Sequence, residues 1–301
     1  MKTPTYLDRK EQVIILKDKE IINRTPYLLE NNLLKLSGSG TLFLYVEDYQ
    51  MQNLNILLDD ASLFKLYMIF KSSLPTTYHF NIEINDTSRM DVFSVIRNIE
   101  KTSVQINREF LLGKSSVLNL SNALLNMGNT TIAETVLLQK PYAEVNLDQL
   151  NIGAYNDVYH VRQDIVHQAP HTISNINNSL ISNANAKLSY QVSGKIDKGN
   201  EFSSCKQSNK GIILSESGEI EVLPILYIDE YNVEASHGAA IGQIDEEQLY
   251  YLLSRGLTET EARSLIISGY TKPFVGAIED DDIRDLVERQ IVKRINEADI
   301  L

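Results

Sequence analysis

The chain has 301 residues, of which 43% are hydrophobic and 23% charged, so it can bury a sizeable core. Its 28 basic and 40 acidic residues give a formal net charge of −12, which repels nucleic acid phosphates and anionic lipid. We therefore expect neither nucleic acid nor membrane partners.

The cellular compartment of the protein can be predicted from its first residues and from its cysteine content. Residues 1–20 contain no apolar segment of the kind that a secretory signal needs, and the apolar run that begins at Leu63 is too short to cross a bilayer. The one cysteine, Cys205, excludes an internal disulfide and any metal site built from several thiolates of a single chain. These features predict a cytoplasmic protein.

Between about residues 40 and 240 the hydrophobic pattern has a period of two. In residues 78–84, YHFNIEI, the apolar side chains alternate with polar ones, and residues 186–193, AKLSYQVS, repeat the pattern. Such alternation predicts strands with one buried and one solvated face. Further strands are predicted at residues 117–125, 131–138, 143–152, 158–166, 211–215 and 219–228.

Two architectures accommodate many short strands: an antiparallel sandwich and a solenoid. Paired strands recur at roughly 20 to 30 residues, within the range of solenoid repeats. Asparagine-rich turns such as residues 175–187 also suit the tight corners of stacked turns. No strict sequence repeat is visible. The pattern favours the solenoid and leaves the sandwich open.

The pattern changes to a helical one at Gly242. Asp245 with Gln248, and Thr258 with Glu261, have the spacing of capping boxes that begin two successive helices. A third helix is predicted after residues 279–282, EDDD, with an apolar face formed by Ile283, Leu286, Val287, Ile291 and Ile295. We therefore divide the chain into an unassigned segment 1–40, a β body 41–241 and a helical domain 242–301.

Metal-site and catalytic patterns are weak in this chain. His160, His167 and His171 lack an acidic or thiol partner at a persuasive spacing, and Pro170 prevents a shared helical face, so strand and turn histidines are the favoured interpretation. Cys205 is interpreted as an inert, half-buried thiol near a strand edge. No serine–histidine–acid or paired-carboxylate pattern is visible, and the protein is not expected to be an enzyme.

His237 lies among small residues, in the stretch ASHGAAIGQ that begins at Ala235. Small side chains permit close approach by another backbone or another subunit. Local chemistry alone favours a histidine packed in a turn where the β body meets the helices. The alternative is a ligand displayed at an interface.

The stretch 235–266 resembles the signature of the SufB/SufD family of iron–sulfur cluster assembly proteins, and within that family the SufD type. The matching residues are Ser236, His237, Gly238, Ala239, Gly242, Gln243, Ile244, Asp245, Glu246, Glu247, Tyr250, Ser254, Arg255 and Gly256. Looser similarity occurs at residues 167–175 and 211–229. The resemblance covers about residues 155–275.

The resemblance implies a right-handed parallel β-helix followed by a small helical domain. It implies a scaffold subunit without ATPase activity, which pairs with a SufB-like subunit or with itself and docks a SufC-like ABC ATPase through residues 243–298. It also implies that His237 serves at the paired interface as a ligand for iron or for a transient iron–sulfur cluster.

Two departures from the family pattern keep alternatives open. Ala235 stands where many SufD chains have a cysteine, and Cys205 is the one thiol, whereas a cluster normally needs about four ligands. A structural member of the family without cluster chemistry is therefore the alternative. A solenoid enzyme acting on polysaccharide is disfavoured, because no secretory signal is recognised.

Overall fold

The computed structural model describes residues 4–18, 20–27, 29–49, 53–98 and 101–296. A short 3-10 helix, Thr5–Arg9, is followed by strands and then by three helices. The strands are β1 (Val13–Lys17), β2 (Glu20–Arg24), β3 (Leu29–Glu30), β4 (Leu33–Leu36), β5 (Ser39–Glu47), β6 (Leu54–Leu58), β7 (Leu63–Lys71), β8 (Thr76–Ile84), β9 (Arg89–Ile96), β10 (Thr102–Leu112), β11 (Val117–Leu124), β12 (Gly128–Leu138), β13 (Glu144–Gly153), β14 (Val158–His167), β15 (Ile173–Ser182), β16 (Lys187–Ile196), β17 (Ser204–Ile213), β18 (Glu219–Ile228) and β19 (Glu234–Gln243). The helices are α1 (Glu246–Ser254), α2 (Glu259–Gly276) and α3 (Asp281–Asn296).

The strands form a parallel β-solenoid of about eight turns. From β5 onward, successive strands alternate between two sheets, and each pairs in parallel with the strand two positions along the chain. Sheet one contains β1, β2 and the odd-numbered strands from β5 to β19, and sheet two contains β3, β4 and the even-numbered strands from β6 to β18. Parallel pairing between successive turns excludes the antiparallel sandwich and confirms the predicted solenoid.

The core of the solenoid lies between the two sheets. In β8, Tyr78, Phe80, Ile82 and Ile84 are buried while the residues between them are exposed or half-buried, as the alternation predicts. Because parallel strands in register place equivalent side chains side by side, the inward residues of successive turns form continuous columns.

The corners between strands repeat the same backbone conformation from turn to turn. Ser115, Tyr142, His171 and Phe202 all have positive φ, between 53° and 66°. The rings of Tyr142, His171 and Phe202 stack with centroids 4.9 Å apart at each step. The corners therefore align even though the sequence shows no strict repeat.

The strands β1 and β4 extend both sheets into the segment that the sequence left unassigned. β1 pairs in parallel with β5, and β4 pairs in parallel with β6, while β2 and β3 turn back antiparallel at this end of the solenoid. At the other end β19 finishes at Gln243, close to the predicted change at Gly242.

Helix caps form where the sequence places them. The side chain of Asp245 accepts hydrogen bonds from the backbone N–H groups of Glu247 and Gln248 and begins α1. Thr258 and Glu261 form a reciprocal capping box that begins α2. No helix within the described residues is long and apolar enough to span a membrane.

The helices fold back on sheet one. The predicted apolar face of α3 is buried together with Phe274 and Val275 of α2 against outward-facing apolar residues of the sheet, such as Ile69 and Leu150. Ion pairs contribute to this arrangement, among them Lys10 with Asp280, at 2.6 Å, Lys65 with Glu279, and Arg294 with Asp157. The helical segment is therefore held to the solenoid at both ends of α3.

Candidate functional site

His237 lies in β19, the terminal strand of sheet one. Within the described residues β19 is paired on one side, with β17, and its other edge is free. All ten of its residues are exposed. The interpretation of His237 as a packed turn residue is therefore wrong, because pairing with β17 imposes a strand on small residues that have little strand preference of their own.

The register aligns His237 with the interior of the solenoid. It pairs with Gln207 of β17, and the same column continues inward through Ile176, Leu147 and Leu120, all of which are buried. Side chains in register on parallel strands share a face. His237 is thus the last member of an interior column, and it is exposed because no further turn covers it in the described residues.

Small residues keep the approach to β19 open. A Cβ added at Gly238 or Gly242 would have no heavy atom within 4 Å, once chain neighbours are set aside. Another backbone could therefore approach the free edge without meeting a side chain from this chain at either position.

The terminal strand of sheet two adds an apolar rim to this end. Leu223 and Tyr227 of β18 are 54% and 52% exposed, and Tyr231, between β18 and β19, is fully exposed. An uncovered strand edge beside exposed apolar side chains favours association with another chain. We call the surface formed by β18, β19 and Tyr231 the open end.

A chain of buried polar side chains runs through the solenoid to the open end. The contact between Arg108 and Glu134 is short, and the others measure 2.6 to 3.4 Å. Five of the eight contacts join consecutive strands across the two sheets, and three join neighbouring turns within one sheet. The members are Ser94, Arg108, Asn122, Glu134, Gln163, Gln149, Asn178 and Asn209. At its end Asn209 Nδ2 donates to the carbonyl oxygen of Gly238, at 3.1 Å, beside His237.

The other histidines considered as ligands do not converge. His160 is exposed in β14, whereas His167 is fully buried and bonded at both ring nitrogens, to Thr172 Oγ1 at 2.7 Å and to Ser174 Oγ at 2.9 Å. Burial lowers the pKa of His167 to about 4. His171 stacks at a corner. Among the described residues no group of three or more His, Cys, Asp or Glu residues is placed to hold a metal ion.

Cys205 is more deeply placed than its sequence suggests. It is the second residue of β17 and is fully buried, not half-buried at a strand edge. Burial raises the pKa of its thiol, which therefore remains protonated. It pairs with Ala235 in β19, so the side chain above it at the open end is a methyl group.

The outer surface of the helices is a second region with exposed apolar groups. Tyr250 and Tyr251 of α1 are 74% and 55% exposed, whereas Leu265 of α2, which is 48% exposed, lines the cleft between the helices and sheet one. A cleft of about 820 Å³ separates α1 and α2 from sheet one, with polar residues such as Asp148 and Lys210 on its sheet side. The helices therefore present apolar side chains both to solvent and to this cleft.

The protein is a parallel solenoid with an uncovered terminal turn and a helical segment folded onto one sheet, and both regions have surfaces suited to association. Residues 46–270, most of the chain, match the family described as "SUF system FeS cluster assembly, SufBD core domain". The chain belongs to this family, as the signature around His237 predicts.

Curated relatives agree with this assignment. The chain is similar to the iron–sulfur cluster assembly protein SufD of Bacillus subtilis, with 27% identity over 183 residues, which are 60% of this chain and 42% of that protein. It is 31% identical over 90 residues to Escherichia coli SufD, covering 30% of this chain and 21% of the relative. A SufBD family protein of Archaeoglobus fulgidus is 42% identical over 92 residues, covering 31% and 24%. The chain thus spans less than half the length of these relatives.

Proposed function

We propose that this protein is a SufD-like scaffold subunit in iron–sulfur cluster assembly, working in the cytoplasm without catalytic activity of its own. It would pair with a SufB-like subunit, or with a second copy, through the open end. The observation that carries the proposal is the position of His237, exposed in a strand whose free edge is available to a partner.

Pairing through the open end is supported by its chemistry. The free edge of β19 offers unpaired backbone groups, which another strand can extend, and the small residues around Gly238 leave room for that strand. Leu223, Tyr227 and Tyr231 add exposed apolar area at the rim. Covering these groups would remove apolar surface from water and satisfy the edge.

The exposed faces of α1 and α2 are the proposed docking surface for a SufC-like ATPase. Tyr250 and Tyr251 of α1 supply the aromatic contacts typical of such surfaces, and Leu265 of α2 adds apolar area at the cleft. Because α3 is tied to the solenoid by Lys10 and Arg294, a displacement of the docked helices would be transmitted to the β body. The ATPase cycle would thereby alter the paired interface.

The cluster in this proposal is cargo, and this chain supplies part of its coordination. An iron–sulfur cluster takes about four ligands, most of them thiolates. His237 offers one exposed imidazole, while Cys205 is buried and protonated. The described residues of this chain therefore do not form a complete site. The partner would supply the thiolates.

A second function is favoured by the small number of side chains at the open end that could ligate iron. Ala235 stands beside buried Cys205, and His237 is the sole exposed imidazole on the described part of this surface. In this alternative the chain is a structural half that pairs and docks the ATPase, while all cluster ligands come from the partner.

Anaerobic reconstitution with iron and sulfide distinguishes the two functions. The chain is mixed with its SufB-like partner, and cluster formation is followed by visible absorption for wild type, His237→Ala and the matched control His160→Ala, which removes an exposed histidine of β14. The scaffold-ligand proposal predicts a chromophore that requires the partner and falls with His237→Ala alone. An unchanged chromophore in a stable His237→Ala complex would instead establish the structural role.

A further inference from the structure

Two buried amide side chains of β17 lie directly beneath the exposed strand that carries His237. Gln207 is 4% exposed and Asn209 is 1% exposed. They pair in register with His237 and Ala239. Asn209 Nδ2 already donates to the carbonyl oxygen of Gly238, at 3.1 Å, so it attaches the exposed strand to the interior.

Gln207 has one half of its amide engaged. Its Nε2 donates to the carbonyl oxygen of Ile225 in sheet two, at 3.2 Å, whereas its buried Oε1 has no hydrogen-bond partner. A buried carbonyl oxygen without a donor is destabilising, because it has lost its hydrogen bonds to water and gained none in return. The register places the imidazole of His237 as the next side chain in the same column, one strand spacing of about 4.8 Å away.

We propose that Gln207 and Asn209 are positioning residues for His237. Gln207 Oε1 accepts a hydrogen bond from one N–H of the neutral imidazole, while Asn209 holds the backbone at Gly238. The ring is then fixed in one tautomer, with the unprotonated nitrogen directed away from Gln207 toward the open end. Metal-binding histidines are commonly oriented by such a contact at the second ring nitrogen.

The inference rests on the proposed role of His237 and deepens it. The contact joins two residues of one chain, and it forms when the exposed imidazole turns an N–H toward Gln207 Oε1, which has no donor in the structure. Gln207 would orient the imidazole in the same way whether the unprotonated ring nitrogen of His237 binds iron, a cluster or a partner side chain. A failed reconstitution would count against the ligand role of His237 and leave this contact intact. Loss of the contact would count against the positioning role alone.

Nitrogen-15 NMR of labelled histidine side chains tests the contact on the full chain, at a pH above the ordinary histidine pKa. The chain has five histidines, and comparison with His237→Ala assigns the signal. We expect wild-type His237 to show one tautomer and a ring N–H slowed in exchange with water. Gln207→Met, which keeps the length and removes the acceptor, should give averaged ring nitrogen shifts and fast exchange.

Two further variants separate positioning from general disruption. Gln207→Glu retains an acceptor oxygen and should restore the slowed N–H, while Asn209→Leu should speed amide exchange at residues 237–239. The signal of buried His167 must stay unchanged in every variant, which reports an intact core. A rapidly exchanging, averaged imidazole in wild type, unaltered by Gln207→Met, would overturn the proposal.

Discussion

Arg108 and Glu134 form an ion pair inside the solenoid with both side chains excluded from water. Arg108 also donates to Ser94 Oγ at 2.7 Å and to Asn122 Oδ1 at 2.8 Å, and Asn122 donates to Glu134. Burying two charges carries a large desolvation cost, which their attraction and these hydrogen bonds offset. The pair therefore matters to stability mainly because removal of either residue would leave the other charge buried without a partner.

Removing one partner should cost more than removing both. Glu134→Leu leaves a buried guanidinium without its carboxylate, and we expect a loss of about 3–5 kcal/mol in the free energy of unfolding, measured by urea denaturation. The double variant Arg108→Met/Glu134→Leu should recover a large part of that loss. A double variant no more stable than Glu134→Leu would show that the pair does not behave as a unit.

His167 should make stability depend on pH. Its folded pKa of about 4 lies below its ordinary value of 6.5, so the unfolded chain binds the proton first as the pH falls. The stabilising contribution is therefore present above pH 6.5 and is lost toward pH 4, by about 3 kcal/mol in total.

The measurement compares urea denaturation of wild type and His167→Asn across this pH range, since carboxylates elsewhere titrate equally in both. As the pH decreases, the free energy of unfolding should fall more steeply for wild type than for His167→Asn. A difference that is constant with pH would mean that His167 is not held neutral by burial.

At the scale of elements, α3 depends on a buried contact with the solenoid. Arg294 and Asp157 are 2% and 1% exposed, and Arg294 also donates to Tyr159 Oη at 3.3 Å. Asp157 in turn accepts from the backbone N–H groups of Gly128 and Ala154, at 2.7 and 2.9 Å. One carboxylate thereby joins a helix to two corners of the β body.

Arg294→Met should release α3 without unfolding the solenoid. Hydrogen exchange should accelerate across α3 and remain slow in β10 and β12. The variant leaves the Asp157 carboxylate without its cation at the interface between helix and solenoid, and the core between the sheets is unchanged. Arg263→Met is the control, since its partner Glu259 is exposed and such pairs contribute little. Equal acceleration in both variants would contradict an anchoring role for Arg294.

The sequence predicts strands and helices well where the burial of one face sets the spacing of the apolar residues. Alternation identified the inward residues of β8, the Thr258–Glu261 capping box identified the start of α2, and spacing identified the buried face of α3. The same alternation in β17 places Cys205, Gln207 and Asn209 on one face, and that signal could have revealed the polar residues beneath His237.

The pairing between turns could not be predicted in the same way. Thr102 pairs with Gly128, 26 residues on, whereas Ile173 pairs with Ser204, 31 residues on, because the corners absorb extra residues. The alignment of Gln207 with His237, on which the proposed contact rests, depends on this variable register. Burial of Cys205 follows from the same register and was missed for the same reason.

For the whole molecule, the two ends of the solenoid differ. At the first end β2 and β3 turn back antiparallel, and the sheet edge there is short and charged in β2. At the open end β18 and β19 are ten-residue strands, and beyond the acidic residues near their starts, Glu219, Glu221 and Glu234, they carry mostly apolar or small side chains. The helices lie along sheet one and leave β19 exposed. This asymmetry favours pairing by the open end.

Analytical ultracentrifugation of the chain with a SufB-like subunit tests this central claim most directly. Gly238→Arg places a long charged side chain where this chain has open space, so the fold is retained while close approach by a partner strand is blocked. Asn81→Arg adds the same charge on the exposed face of β8. We predict that wild type and Asn81→Arg form a discrete pair, with the partner or with a second copy, and that Gly238→Arg remains a monomer. Undiminished pairing of Gly238→Arg would contradict association through the open end.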